Sequence, residues 1–170
     1  MVSGSIERAS ITDPDRTWQG CVADSLMAEG DAELLARAID NLLANVTAHT
    51  PVGTAAAVTT AKRGSAITIE VSDDGPGVPD HQLPRIFDRF YRAGASAERP
   101  GSGLGLAIVT AITTPHNGTA EATRNYPSGL RVTLTLPAAV RPDNPEHGAP
   151  DAVSRTCQDL ARSARSGSAN

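Results

Sequence analysis

Two side-chain amides four residues apart, Asn41 and Asn45, stand in the block Asn41-Leu42-Leu43-Ala44-Asn45. On a helix that spacing puts both on one face. An amide oxygen is a neutral, hard donor of the kind that Mg²⁺ accepts beside its waters. Asn45 is therefore a candidate metal ligand, with Asn41 supporting it one turn earlier; the plainer alternative is a solvated polar face. A second block, Asp73-Asp74-Gly75-Pro76-Gly77, follows the apolar run Ile67-Thr68-Ile69-Glu70-Val71. A carboxylate at a strand end, taken out of water, forms a charge-assisted hydrogen bond to an N–H such as the exocyclic amine of adenine. Gly75 and Gly77 let the backbone turn and come close to a flat base. Asp-Gly turns with no ligand are also common.

The third block is Phe87-Asp88-Arg89-Phe90. Phe87 and Phe90, three apart, anchor the end of a short helix and the base of the loop after it. Arg92 and Arg99 lie in or beside that loop. Each either reaches phosphate oxygens, for which the guanidinium fork is suited, or remains a surface cation. The fourth block, Gly101-Ser102-Gly103-Leu104-Gly105-Leu106, runs straight into a helix. Free N–H groups at a helix start attract phosphate. No Gly-Lys-Ser/Thr follows, so this is not a Walker loop, and no Gly-x-Gly-x-x-Gly follows a strand. Alone, the block reads equally as a linker. In this order the four blocks describe a magnesium-nucleotide pocket.

The elements that must hold these groups are legible from period and punctuation. Residues 1–16 are polar without a clear period and are expected to be a flexible N-terminal segment. Short edge strands are expected near 17–21 and 25–27. Asp31 caps a helix with Glu33 in its first turn, and Leu34, Leu35, Ala38, Ile39, Leu42 and Val46 form its apolar stripe. Thr50-Pro51 ends it. Strands are expected at 55–62 and 66–71, then a short helix at 80–91, a loop at 92–103 and a long helix at 104–114. A closing hairpin is expected from 119–124 and 130–136. Residues 138–170 are rich in Pro, Gly, Ser, Asp, Ala and Arg and are expected to be a disordered tail.

The bulk composition excludes several classes. The 170 residues suit one domain, spanning 17–137. Aromatics make up 3%, so Ala, Val, Leu and Ile must build the core. A net charge of −4 leaves no basic footprint for nucleic acid. No apolar run is long enough to enter or cross a bilayer, and no secretory signal opens the chain. Cys21 and Cys157 have no metal spacing; a cytoplasmic setting fits and a disulfide framework does not. His49, His81, His116 and His147 form no metal pair; His116, before Asn117-Gly118, is expected as a helix C-terminal cap.

The four blocks, in this order, resemble the N, G1, F and G2 boxes of the catalytic ATP-binding domain of bacterial sensor histidine kinases. The resemblance covers roughly residues 25–137. It implies the Bergerat fold, a two-layer α/β sandwich with three helices over a mixed, mostly antiparallel sheet. It implies ATP and Mg²⁺ as cofactors, Asn41 and Asn45 as catalytic amides with the metal on Asn45, and adenine read by Asp73. Gly75, Gly77, Arg92, Gly101, Gly103, Leu104, Gly105 and Leu106 would line the nucleotide, under a lid between Tyr91 and Gly103. ATP-hydrolysing relatives of this fold carry a general-base Glu where Asn41 stands, so the resemblance favours a kinase over an ATPase.

Some features depart from the pattern. None of the four histidines has a phosphoacceptor context, and only about 30 residues precede the asparagine helix. The sequence is then either a piece of a longer kinase or a split kinase; the expectation taken is the split kinase, acting on a histidine of a separate dimerisation and phosphotransfer protein, and through it on a response regulator. Ala48 stands where many members have Lys, so one phosphate contact is expected to be missing or supplied by an arginine; Leu130 stands where a Thr often follows the glycine, so a polar contact at the adenine end is expected to be lost. The alternatives are a non-catalytic ATP-dependent interaction module, or an anti-sigma-type serine kinase.

Overall fold

The computed structural model describes residues 1–23, 26–92 and 102–139. Eight main elements follow in chain order: α1 (Val2–Thr12), β1 (Trp18–Cys21), α2 (Ala32–His49), β2 (Ala56–Arg63), β3 (Ala66–Asp73), α3 (Gly105–Thr113), β4 (Thr119–Arg124) and β5 (Leu130–Pro137). The strands form one sheet in the order β1-β2-β3-β5-β4. β1 pairs parallel with β2, because α2 carries the chain across between them. The remaining pairs are antiparallel. The fold is the mixed, mostly antiparallel sheet under three helices that the family resemblance implies.

The core forms where the helical and strand periods coincide. In α2 the inward row is Leu35, Ala38, Ile39, Leu42, Leu43 and Val46. In β3 alternate residues Ile67, Ile69 and Val71 are buried, and in β5 Leu130, Val132, Leu134 and Leu136. Val109 and Ile112 of α3 close the layer. Burying a chain of Leu or Ile side chains this fully contributes roughly 1.5–3 kcal/mol each before chain entropy is counted. Leu34, placed on the stripe by period alone, is 41% exposed; it lies one position off the buried face, and Leu43 is buried instead.

The N-terminal segment differs from its sequence expectation. It is helical over Val2–Thr12, and this α1 packs on α2. Val2, Ile6 and Ala9 face the core, Ser5 is buried, and Arg8 makes a two-pronged bond to Asp40 at 2.8 and 2.9 Å. The apolar stripe is too short and too interrupted by serine to show as a period. Beyond it Arg16 is 6% exposed, so this stretch is anchored. The helix expected over 80–91 also shrinks, to a single 3₁₀ turn at Leu83–Arg85. Pro84 fits its start but cannot donate to a continuing helix. Of the second edge strand, Ser25 lies outside the described residues, and only an isolated bridge, Ala28 to Ala138, forms nearby. Cys21 is disulfide-bonded, against the expectation from cysteine spacing. Residues 140–170, expected as a tail, lie outside the described residues.

α3 continues into a 3₁₀ turn, Thr114–His116, and ends on Asn117 in the left-handed conformation. Asn117 holds the left-handed terminal position, and His116 caps a last-turn carbonyl with its side chain as expected. Its Nδ1 lies 2.7 Å from Ile112 O, and its Nε2 accepts from Asp31 N at 3.0 Å. The imidazole therefore ties the end of α3 to the cap of α2. Asp31 caps as expected, its Oδ1 accepting from Glu33 N and Leu34 N.

Candidate functional site

The period-two rule that buries Ile67, Ile69 and Val71 carries Asp73, the last residue of β3, onto the same inward face. Asp73 is 6% exposed. Its Oδ1 accepts from Gly75 N at 2.9 Å and from Leu130 N at 3.3 Å. Both hydrogen bonds to the carboxylate fall on Oδ1, which leaves Oδ2 without a partner among the described residues. Burial raises the Asp73 carboxyl from its ordinary value. The Gly75 and Leu130 N–H groups pull it back, Asp74 raises it further, and the charge of Arg16 lowers it.

The backbone around Asp73 is held from three sides. Asn125 Nδ2 donates to Asp73 O at 2.8 Å, and Ser128 Oγ to Asp74 O at 3.2 Å. Asp74 is exposed, and its Oδ1 accepts from Ala55 N at 2.7 Å, which closes the turn against the start of β2. Gly129 has φ +116, and a Cβ there would stand 1.8 Å from Asp73 O. Gly77, at φ +70, would place a Cβ 2.7 Å from Gly129 O. Two glycines, one from the turn after β3 and one from the β4–β5 turn, therefore meet so that backbone can touch backbone behind the carboxylate. Gly75 is buried against Thr50, whose Cγ2 would be 2.8 Å from a Cβ at that position.

Leu130 meets this carboxylate through its backbone alone. The Leu130 side chain is in the core, 7% exposed, and its backbone N–H makes the bond to Asp73. Residue type at this position cannot remove that donor.

Asn41 and Asn45 sit on α2 one position off the buried row, so both are half-buried. Asn41 Nδ2 donates to Arg37 O at 2.8 Å, which turns its oxygen outward from its own helix. A Cβ on Gly105 would lie 3.9 Å from Asn41 Oδ1, so the start of α3 sits beside this amide. α3 opens at Gly105 with Leu104 as its N-cap and no side-chain cap. Its first N–H groups are thus the uncapped donors of a helix N-terminus. Leu106 is buried, so only its backbone can serve a ligand. α2 is the common support: Asn41 meets the start of α3, and Thr50, at its other end, meets Gly75.

The loop that separates the third and fourth blocks is pinned at its base. Phe90 N donates to Gly103 O at 2.9 Å. Phe87 packs on the core as expected. Phe90 does not: it is 72% exposed and has φ 64, a left-handed conformation that costs a non-glycine residue about 1–3 kcal/mol. Arg92 is half-buried at the edge of the described stretch. Gly101 and Arg99 lie outside the described residues. Ala48 is exposed on α2. A cavity of about 390 Å³ lies on another side of α3, lined by Phe87, Arg89, Ala107, Thr110, Ala111, Thr114 and Pro115. It shares none of the asparagines, Asp73 or the glycines.

Sequence reasoning missed Arg16, Thr50, Asn125 and Gly129. Asn125 and Gly129 were visible only as a turn. Their partner, Asp73, is more than 50 residues earlier, and spacing carries no sign of that contact.

Comparison with known proteins agrees with this arrangement. The family model for histidine kinase-, DNA gyrase B- and HSP90-like ATPases matches residues 30–140. The chain is 41% identical over 140 residues to the sensor histidine kinase component HK1 of Mycobacterium tuberculosis, covering 81% of this chain and 80% of that protein. It is 40% identical over 119 residues to the sensor histidine kinase CusS of Escherichia coli K12, covering 69% of this chain and 25% of that protein. It therefore spans a quarter of CusS but most of HK1. Among solved structures, the mycobacterial sensor histidine kinase MprB superposes with a TM-score of 0.75 at 29% identity, over 81% of this chain and 93% of that one. The chain belongs to the histidine kinase-, DNA gyrase B- and HSP90-like ATPase family, as an ATP-binding catalytic domain of the sensor histidine kinase type.

Proposed function

We propose that this chain binds Mg·ATP and transfers the γ-phosphate to a histidine on a separate partner protein. The observation that carries the reading is the buried Asp73 carboxylate. One of its oxygens is saturated by backbone donors and the other is left for a ligand. The open oxygen is not a buried, unpaired atom but stays reachable from solvent, and the exocyclic amine of adenine supplies a donor for it. Gly75 and Gly77 give the base room at the backbone.

The polyphosphate then runs along α2 toward α3. The distance from Thr50 to Asn41 along the helix is about 14 Å by its rise per residue, room for an extended nucleoside triphosphate laid alongside. The uncapped N–H groups at Gly105 and Leu106 meet phosphate oxygens, with Gly103 and Leu104 in the approach and Arg92 as an added cation. The metal site fits the residues present: the half-exposed amide of Asn45 supplies an oxygen to Mg²⁺ and Asn41 shapes the same face. Mg²⁺, when bound, neutralises phosphate charge during transfer. Asn41 offers no carboxylate to activate water, so the γ-phosphate is kept for an external acceptor.

Transfer in trans is supported by the histidines. Both ring nitrogens of His116 are engaged with backbone, and neither His49 nor His81 lies in a phosphoacceptor sequence. The HK1 relative, most of whose length this chain spans, is itself named a kinase component. A response regulator is the downstream recipient in such a relay. Incubation with radiolabelled ATP and a histidine-bearing helical hairpin protein should put acid-labile, base-stable phosphate on that protein and none on this chain. ATP binding without label on any such partner would replace the kinase by a nucleotide-dependent interaction module.

A further inference from the structure

Arg16 is the most enclosed cation among the described residues, and the kinase reading does not use it. Its side chain is held on every edge. Nε donates to Asp13 Oδ2 at 2.7 Å, Nη1 to Thr50 Oγ1 at 2.8 Å and to Thr54 O at 3.0 Å, and Nη2 to Pro51 O at 3.4 Å. The guanidinium carbon lies 5.9 Å from the Trp18 ring centroid. A buried guanidinium is tolerated only with this degree of pairing.

We propose that Arg16 is a positioning residue for nucleotide recognition, acting through Thr50 and the Gly75 turn on Asp73. The inference rests on Asp73 as the base-reading acid. Thr50 Oγ1 accepts from Arg16 and donates to Val46 O at 2.7 Å. Those two bonds fix the hydroxyl, and with it the direction of the methyl group. The methyl points at Gly75, so close that a Cβ there would be 2.8 Å away. Gly75 in turn delivers the N–H that holds Asp73 Oδ1 at 2.9 Å. Each contact has one geometry, so the guanidinium sets where the carboxylate points. The route starts in the segment that follows α1, so a displacement of α1 is passed to the base end.

Arg16 also acts through charge. Two charged groups act on Asp73: Asp74, on its own turn, which disfavours ionisation, and Arg16, from the N-terminal segment, which favours it. An ionised Asp73 binds the amine; protonation removes that acceptor. Binding is therefore lost as pH falls through the raised value, and removal of the Arg16 cation moves that limb to higher pH.

Calorimetric titration of the full chain with AMPPNP and Mg²⁺ across the acid range tests this. Arg16→Met should weaken binding at neutral pH about tenfold and move the acid limb to higher pH. Arg16→Lys should keep the limb in place and weaken binding about threefold, because charge returns without the fork. Thr50→Val should weaken binding similarly without moving the limb. Wild-type affinity and limb in Arg16→Met overturn the inference. Where Arg16→Met does not fold, wild-type affinity in both Arg16→Lys and Thr50→Val overturns it. Asp73→Asn serves as the control: if it binds AMPPNP as the wild type does, the adenine reading fails and this inference with it. Loss of binding in Asp73→Asn beside an unchanged Arg16→Met removes the inference alone.

Discussion

The two ends of the proposed nucleotide site are built differently. At the Asp73 end, the carbonyls of Asp73 and Asp74 are paired, two glycines interlock, and the acid is buried. At the α3 end, the amides of Asn41 and Asn45 are half-exposed, the helix start is uncapped, and a pinned loop stands beside it. The first end is complete except for one acceptor oxygen. The second end is a set of open donors and acceptors. Selectivity for a base needs fixed geometry, because a mispaired buried donor costs about 1–3 kcal/mol. Phosphate and metal are tolerant of small displacements, since their attraction falls off slowly with distance.

Breaking the rigid end should have the largest effect. Gly129→Ala forces a Cβ into the Asp73 carbonyl at a positive φ. We expect a stability loss of roughly 3 kcal/mol or more, read as a fall in the denaturant midpoint. A variant that unfolds with the wild type would show that the glycine contact is looser than described.

Asp73→Asn separates recognition from folding. The amide oxygen can still accept from Gly75 and Leu130, while its NH₂ now faces the adenine amine. ATP binding should weaken by about a hundredfold, with no loss in melting temperature. The pH dependence of stability runs opposite to that of binding. Burial raises this carboxyl, so between its ordinary and raised values the folded state holds more protons than the unfolded one. Asp73 therefore lowers stability as pH rises through that window, and Asn removes the effect. A large drop in melting temperature would mean that the carboxylate serves the fold first.

At the open end, Asn45→Ala should leave stability within about 0.5 kcal/mol while phosphotransfer falls on the order of a hundredfold. Nucleotide binding measured in EDTA should be unchanged. An equal loss with and without metal would remove Asn45 from the metal site. The smallest effect is expected at the loop base. Phe90→Gly gives up an exposed side chain and relieves a left-handed backbone, so stability should rise by about 1 kcal/mol. A fall would mean that the ring has a partner in solution.

Legibility followed the reach of each interaction. The α2 cap at Asp31 and the stop at Thr50-Pro51 are local, and both read directly from residue type. The two hairpins follow from period two, and the Asp73 motif from its place at a strand end. The 80–91 helix was misjudged because Leu83, Ile86, Phe87 and Phe90 show a helical spacing that a 3₁₀ turn and tertiary contact satisfy equally. α1 was missed because half its buried face is small or polar, as Ser5 and Ala9 show.

Residue order alone set which chemical groups this protein possesses, the periods that bury its core, and the family to which its four blocks point. These depend on neighbours within a helical turn or a strand pair, where spacing is geometry. Which Asp73 oxygen is left open, that Leu130 serves through its backbone, and that Arg16 stands behind the acid were decided only in three dimensions. Those contacts join residues tens of positions apart, and a linear pattern does not encode the direction in which a hydrogen bond closes.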